Sequence, residues 1–231
     1  MIMKISRNPF LSLIAGLIAA GIIGVSGAAL AADGVGVISL LESKIEHNPG
    51  GDSGYAVLSP IDALSMKLNN NDMLKSHNGS TAEIKMNGGA VISLARDAEM
   101  QVGINNIRIN KGGAWISYKP EKKDGRISFT VKTPAGTMGI KGTTFAVKVD
   151  EKSAQAFLQV REGCVEFKQD GIGKTVDVKD NQLLVIEKDK EIGEPVSVEA
   201  GYDVLSISPR PDSGQKFEDY QNANPFDKLR K

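Results

Sequence analysis

The strongest constraint on the fold is a series of eleven short segments between positions 82 and 187, several with alternating apolar and polar side chains. They read AEIKM (82–86), AVISL (90–94), AEMQV (98–102), IRI (107–109), AWISY (114–118), RISFTVK (126–132), TFAVKV (144–149), AFLQV (156–160), CVEFK (164–168), TVDV (175–178) and QLLVIE (182–187). Turn sequences such as NGG, KGG, KKDG and QDGIG separate them, which is typical of consecutive β-strands. No stretch between them has the length and 3.6-residue period of a crossover helix, so a parallel βαβ sheet is excluded. The sequence predicts an all-β chain of many short strands, in a twisted solenoid-like or sandwich arrangement or a barrel, and periodicity does not choose among these.

The segments outside this series carry weaker patterns. Residues 32–54 are predicted to be irregular, with the turn cluster HNPGGDSG at their end. One short helix is predicted over Ile61–Leu68, before three consecutive asparagines. Residues 199–231 lose the alternation and gain proline, charge and asparagine, which predicts a polar C-terminal extension with one apolar element, DVLSI.

The N-terminus has the pattern of a secretory signal peptide over residues 1–31, expected to form a helix before the β domain. Lys4 and Arg7 precede an apolar stretch that ends in Ala29-Leu30-Ala31, which has small residues at the two positions that signal peptidase reads, so cleavage is expected before Ala32. The protein is then periplasmic or extracellular. The alternative is an uncleaved membrane anchor, because the apolar stretch from position 10 to position 32 is long enough to span a bilayer.

Charge argues against two classes of partner. The whole chain has 28 basic and 28 acidic residues, so loss of Lys4 and Arg7 leaves a net charge of −2. Binding to nucleic acid or to an anionic membrane surface requires clustered Lys and Arg, which this balance does not favour. We therefore expect no nucleic-acid partner, and membrane contact only if the N-terminal helix is retained.

The densest glycine and threonine segment is TPAGTMGIKGTTF, residues 133–145. It differs from a phosphate-binding loop, because Lys141 precedes Gly142 and a strand pattern follows where a helix is required. Pro134 fixes one backbone angle, and Gly139 and Gly142 permit conformations or close contacts that a Cβ would block. The segment is therefore interpreted as a corner between strands.

The remaining candidates for chemistry are weak, and no enzyme, metal site or cofactor is predicted. Ser53 lies in a GDSG sequence near His47, but too little chain precedes it to supply the other residues of a chymotrypsin-like triad in the required order. The only other histidine is His77, and NNND (69–72) and DEK (150–152) lack the spacing of a calcium loop. Cys164, the single cysteine, is interpreted as a small, half-buried strand residue.

The segment from Thr130 to Val149 resembles the signature of the FecR-like domain family, in which a T-P pair, a glycine-bearing stretch, G-[VI]-R-G-T and an aromatic residue lie between two strands. The matching residues here are Thr133, Pro134, Gly139, Lys141, Gly142, Thr143, Phe145 and, in the following VREGCVEF, Gly163. Lys141 stands where the family usually has arginine. The resemblance extends over residues 55–198, which define the predicted FecR-like β domain.

The resemblance implies a β domain outside the inner membrane. In the members that give the family its name, the domain relays an iron-siderophore signal from an outer-membrane transporter to a cytoplasmic sigma factor through a cytoplasmic N-terminal segment. Only nine residues precede the apolar stretch here, so that relay is not expected. The predicted function is a non-catalytic exported module that contacts an envelope protein or a surface glycan, with an inner-membrane-anchored sensor as the alternative.

Overall fold

The alternating segments form strands of one extensive antiparallel sheet. The computed structural model describes residues 34–120, 127–153, 155–187, 189–199 and 202–205. The predicted signal peptide and most of the predicted C-terminal extension lie outside these ranges. Within them the protein has 17 strands and one short α-helix, which confirms the all-β prediction. That helix, the only one of α type in the described part, has four residues, and no described helix has the length and apolarity needed to span a bilayer.

The elements follow one another with short connections. The first group is β1 (Gly36–Glu42), β2 (Ile45–Asn48), a 3-10 turn (Pro49–Gly51), β3 (Ala56–Leu58), α1 (Pro60–Ala63) and β4 (Lys67–Leu68). The second group is β5 (Met73–Ser76), β6 (Thr81–Met86), β7 (Ala90–Leu94), β8 (Glu99–Gly103), β9 (Asn106–Tyr118), β10 (Phe129–Thr133), β11 (Gly136–Ile140), β12 (Thr143–Val149), β13 (Ala156–Glu162) and β14 (Cys164–Gln169). The last group is β15 (Thr175–Lys179), β16 (Gln182–Ile186) and β17 (Val196–Ser197).

The strand pairings divide the sheet into two half-sheets that share β9. Half-sheet A has the order β4-β1-β6-β7-β9-β12-β13-β16-β17. Half-sheet B has the order β3-β2-β5-β8-β9-β10-β11-β14-β15. Residues 106–111 of β9 pair within half-sheet B, and residues 112–118 pair within half-sheet A. Only the β9–β10 pairing is parallel among the described strands, so the structure shows a curled antiparallel sheet and not the stacked turns of a solenoid.

Side chains from both half-sheets meet in one apolar core. Phe145 of half-sheet A and Phe129 and Phe167 of half-sheet B are fully buried and belong to the same cluster. In strands such as β6 and β10, buried and partly exposed residues alternate along the chain. This alternation gives each half-sheet an apolar inner face, and the sheet curls because burying both faces together removes apolar surface from water.

Besides the solenoid arrangement, four sequence predictions need correction, and the last of them concerns the end of the β domain. The segment 32–54 is not irregular, because residues 36–42 and 45–48 form β1 and β2, joined by a turn in which Ser43 has a φ of 69°. The predicted helix Ile61–Leu68 is reduced to Pro60–Ala63, since Leu68 is buried as part of β4.

The third correction concerns KGG, which was predicted as a turn. IRI and AWISY belong to the single strand β9, and the glycines lie where that strand passes from half-sheet B to half-sheet A. The sequence suggested two strands because glycine is also the residue most common in turns.

A second, smaller apolar cluster lies on the outer face of half-sheet A. It contains the side chains of Trp115, Ala146, Phe157, Leu183, Val185, Val196, Val198, Tyr202, Val204 and Leu205. Gln159 fixes the strap, which we define as Tyr202–Leu205: its Nε2 donates to the Tyr202 carbonyl at 2.6 Å, and its Oε1 accepts from the Val204 N–H at 2.9 Å. Val204 is buried, so the domain predicted to end at 198 extends to at least 205.

Candidate functional site

Three of the predicted signature residues meet at a corner between the half-sheets. Gly142 lies between β11 and β12, with a φ of 137°, and Gly163 lies between β13 and β14, with a φ of 96°. A Cβ at position 163 would lie 2.7 Å from the Gly142 carbonyl oxygen, so the two chain crossings touch through backbone. Thr143 Oγ1 donates to the Cys164 carbonyl at 2.9 Å and fixes the corner. These residues determine how the chain changes half-sheets.

Thr133 and Pro134 lie at the opposite end of the β10–β11 hairpin. Thr133 is buried, and its Oγ1 accepts from the Ala135 N–H at 3.3 Å and donates to the Gly136 carbonyl at 3.2 Å. Pro134 is exposed in the turn. The strand β11 separates this turn from the corner at Gly142. The interpretation of residues 133–145 as one corner between strands is therefore corrected: the segment contains a turn, a strand and a corner.

The other signature residues have separate positions. Gly139 is in β11, and an added Cβ there would lie 2.5 Å from Ile127 Cδ1. Because glycine has no side chain, Ile127 can pack over this position on the outer face of half-sheet B. Lys141 is exposed, with its Nζ 3.8 Å from a Glu166 carboxylate oxygen, and such an exposed pair contributes little to stability. Phe145 is a core residue. The signature residues therefore lie at separate places in the fold, where they shape a turn, a strand contact, the core and the corner between the half-sheets.

Cys164 is half-buried on the outer face of half-sheet B and forms no disulfide. Burial raises the pKa of its thiol above the ordinary value of 9.0, and the Asp177 carboxylate raises this pKa further. The Lys141 and Lys179 ammonium groups act in the opposite direction. A thiol with a raised pKa is mostly protonated at neutral pH, which makes it a poor nucleophile.

We expect Cys164 in the folded protein to react with iodoacetamide at pH 8 at least several-fold more slowly than in the urea-unfolded chain, because folding lowers the thiolate fraction and access. Intact-mass measurement over time gives both rates at this single cysteine. The folded rate should rise with pH along a curve whose midpoint exceeds 9.0. A folded rate equal to or above the unfolded rate would contradict this assignment.

The two candidate catalytic residues in the GDSG region do not form a nucleophile–base pair. His47 Nε2 lies 2.9 Å from Asp72 Oδ2, and both side chains are buried. The Asp72 carboxylate also accepts from the Gly50 N–H, while the Ser53 N–H donates to Asn48 Oδ1 at 3.1 Å. These bonds hold the GDSG segment as a turn between β2 and β3.

The candidate metal ligands serve as turn acceptors in the same way. Besides its bonds to His47 and Gly50, Asp72 accepts from the Asn69 N–H at 2.9 Å. Asp150 accepts from the Lys152 N–H and from the Ser153 hydroxyl, both at 2.9 Å. No group of three His, Cys, Asp or Glu residues in the described ranges could hold a metal ion.

The sequence did not indicate an exposed apolar surface at the border of the sheet. Four large apolar side chains are exposed there, and we call them the rim patch: Leu40 at 52%, Val57 at 61%, Ile61 at 88% and Leu64 at 53%. α1 carries Ile61, lies against β1 and β3, and is a single turn that Ser59 caps. β3 is the border strand of half-sheet B, paired on one side only. The spacing of Ile61 and Leu64 gave no sign that both residues face solvent.

Residues 72–166 match the family model described as FecR protein. This part of the chain is FecR-like. The family resemblance drawn from TPAGTMGIKGTTF is thereby confirmed. The matched FecR residues begin just before β5 and end within β14, so the domain match contains the signature corner and both ends of β9.

Two crystal structures of a "putative anti-sigma factor" from Parabacteroides distasonis, at 2.50 and 1.65 Å resolution, are similar to this chain. In both the sequence identity is 18%, the TM-score is 0.47 and the similar part covers 55% of this chain. The chain spans 60% of the length of those structures. No curated protein sequence matches the chain.

Proposed function

We propose that this protein is a non-catalytic FecR module of the bacterial envelope, exported through its N-terminal signal, that takes part in signal regulation by binding another envelope component. The FecR match supports a regulatory role in signal transduction. The observation that carries the proposal is the rim patch, because four large exposed apolar side chains on or next to α1 and the two strands that it contacts are a candidate interaction site.

The rim patch has two means of binding a partner. Ile61 of α1 and Leu64, the residue that follows α1, project into solvent, and covering each side chain would contribute roughly 1.5–3 kcal/mol at full burial. The free edge of β3 lies beside them and can pair with an extended strand of the partner through backbone hydrogen bonds. Apolar anchors beside an open strand edge suit a protein partner better than a glycan, which would need aromatic platforms.

A non-enzymatic role agrees with the described side chains. His47 is engaged with Asp72, and the Cys164 thiol has a raised pKa. Turnover of a peptide or glycan by the purified protein at an ordinary enzymatic rate would overturn this part of the proposal.

The alternative function is an inner-membrane-anchored sensor that keeps its N-terminal helix. The apolar stretch from position 10 to position 32 supports it, because its length suffices to cross a bilayer. Intact mass separates the two functions: loss of residues 1–31 in a soluble envelope or medium fraction supports the exported module. A full-length mass found only in membranes supports the anchored sensor.

The role of the rim patch is tested with the double variant Ile61→Asp/Leu64→Asp. We expect the wild-type protein, used as bait in detergent extracts of the envelope, to recover a crosslinked partner, and the variant to recover at least tenfold less. Both side chains are exposed, so the melting temperature should not change.

The matched control is Ile104→Asp/Ile172→Asp, which places the same charges at exposed apolar positions away from α1. It should recover the partner as the wild-type protein does. Equal recovery by the rim variant and the control would overturn the assignment of this surface.

A further inference from the structure

A row of polar side chains crosses the outer face of half-sheet B over six neighbouring strands. Its members, which we call the cation row, are adjacent by strand register: Gln101 (β8), Arg108 (β9), Lys132 (β10), Thr137 (β11), Lys168 (β14) and Thr175 (β15). The neighbours Ile107, Val131 and Phe167 are buried in the core. Since successive side chains of a strand point to opposite faces, the row points outward.

The three cationic side chains of the row face solvent. Arg108, Lys132 and Lys168 are exposed, and none forms an ion pair with any residue in the described ranges. Elsewhere in the structure Lys75 and Lys111 each contact a carboxylate. The row spans five inter-strand steps, or about 24 Å at about 4.8 Å a step. On a chain with no net charge, this is a local concentration of positive potential.

Two acidic residues lie beside the row on the same face of half-sheet B. Glu166 is two residues from Lys168 on β14, Asp177 is two residues from Thr175 on β15, and the two acidic residues are opposite each other. The Glu166 carboxylate lies 3.8 Å from Lys141 Nζ, on the side away from the row. The row itself contains only cationic, hydroxyl and amide groups. The third carboxylate on this face, Glu99, is two residues from Gln101 on β8 and lies 3.3 Å from the Lys75 ammonium.

We propose that the cation row binds an acidic segment of a partner protein, with Asp or Glu side chains on Arg108, Lys132 and Lys168. The Arg108 guanidinium can hold a carboxylate through two parallel hydrogen bonds, while the lysines act as point charges. None of the six side chains is aromatic, so the row offers no platform on which a sugar ring could stack. This inference rests on the proposed function, since it specifies the chemistry of the protein that the module contacts.

The test measures binding of fluorescent poly-L-glutamate to the purified exported protein in low salt. The row variant is Arg108→Gln/Lys132→Gln/Lys168→Gln. The control is Lys44→Gln/Lys67→Gln/Arg96→Gln, which removes the same charges from exposed positions outside the row. We expect the control to bind as the wild-type protein does and the row variant to bind at least tenfold more weakly. The wild-type affinity should fall as salt is added, because exposed charges are screened.

Three outcomes would overturn the inference. The first is equal polyglutamate binding by the row variant and the control. The other two are tighter wild-type binding to heparin, or to phosphatidylglycerol vesicles, than to polyglutamate, which would assign the row to a sulfated glycan or a lipid surface. If the polyglutamate test fails while recovery of the partner still depends on Ile61 and Leu64, only the cation-row inference is refuted. Loss of that dependence, with polyglutamate binding intact, refutes only the rim-patch proposal.

Discussion

The variant Gly112→Val is expected to lose its native fold, or to unfold with a free energy lower by more than about 3 kcal/mol. Gly112 has a φ of 70°, a conformation that valine strongly disfavours. An added Cβ would lie 2.5 Å from the Ala98 Cα and 2.6 Å from the Asp97 carbonyl oxygen, so rigid backbone blocks it. The residue lies where β9 changes half-sheets, and both halves of the core depend on that strand. Urea unfolding followed by far-UV circular dichroism measures the loss.

The variant Gly79→Val separates the cost of a positive φ from the cost of the steric clash. Gly79 has a φ of 84°, yet an added Cβ would meet no atom within 4 Å. The Gly79→Val variant should therefore lose free energy of unfolding only through its backbone conformation, on the order of 1–3 kcal/mol. Equal losses for the two variants would show that the contact between Gly112 and Ala98 is unimportant.

Phe145→Ala is expected to lower the free energy of unfolding by about 3–5 kcal/mol. Its ring is fully buried in the core cluster that both half-sheets share, so truncation leaves a cavity that the surrounding strands fill only in part. Chemical denaturation of wild type and variant under the same conditions gives the difference.

Pro134→Ala is the comparison, because it changes another signature residue whose ring is exposed in a turn. Its expected cost is about 0.4–1 kcal/mol, mainly through greater freedom of the unfolded chain. A loss below about 1 kcal/mol for Phe145→Ala would contradict the core position of that ring.

The strand content could be predicted because burial on one face imposes a two-residue period. β6 and β10 show it directly, with buried residues at every second position. The continuity of β9 could not be predicted, because Gly112 and Gly113 serve equally well in a turn and in a strand that bends. The end of the domain was missed for a different reason: Val204 is buried through Gln159, which lies far from it in the sequence.

The two proposed contact surfaces could not be predicted from the sequence, because one depends on strand register and the other on where a helix ends. More than twenty residues of sequence separate Arg108 from Lys132, and Lys132 from Lys168. Arg108 and Lys132 become neighbours only because β9 and β10 pair in parallel. The exposure of Ile61 depends on where α1 ends, and helix ends are poorly defined by sequence. The signature corner was predictable in part, because glycines beside a proline indicate a chain reversal without showing which strands it joins.

The match to the FecR family covers most interior strands of both half-sheets, and the border strands, together with β1, β2 and β16, come from other parts of the chain. β1 to β4 precede the matched residues 72–166 and supply one border of each half-sheet. β15 to β17 follow and supply the other two. In such a molecule the border strands can change while the interior strands stay the same. If the proposed partner binds at β3, a different partner could then be accommodated by changes in the border strands alone.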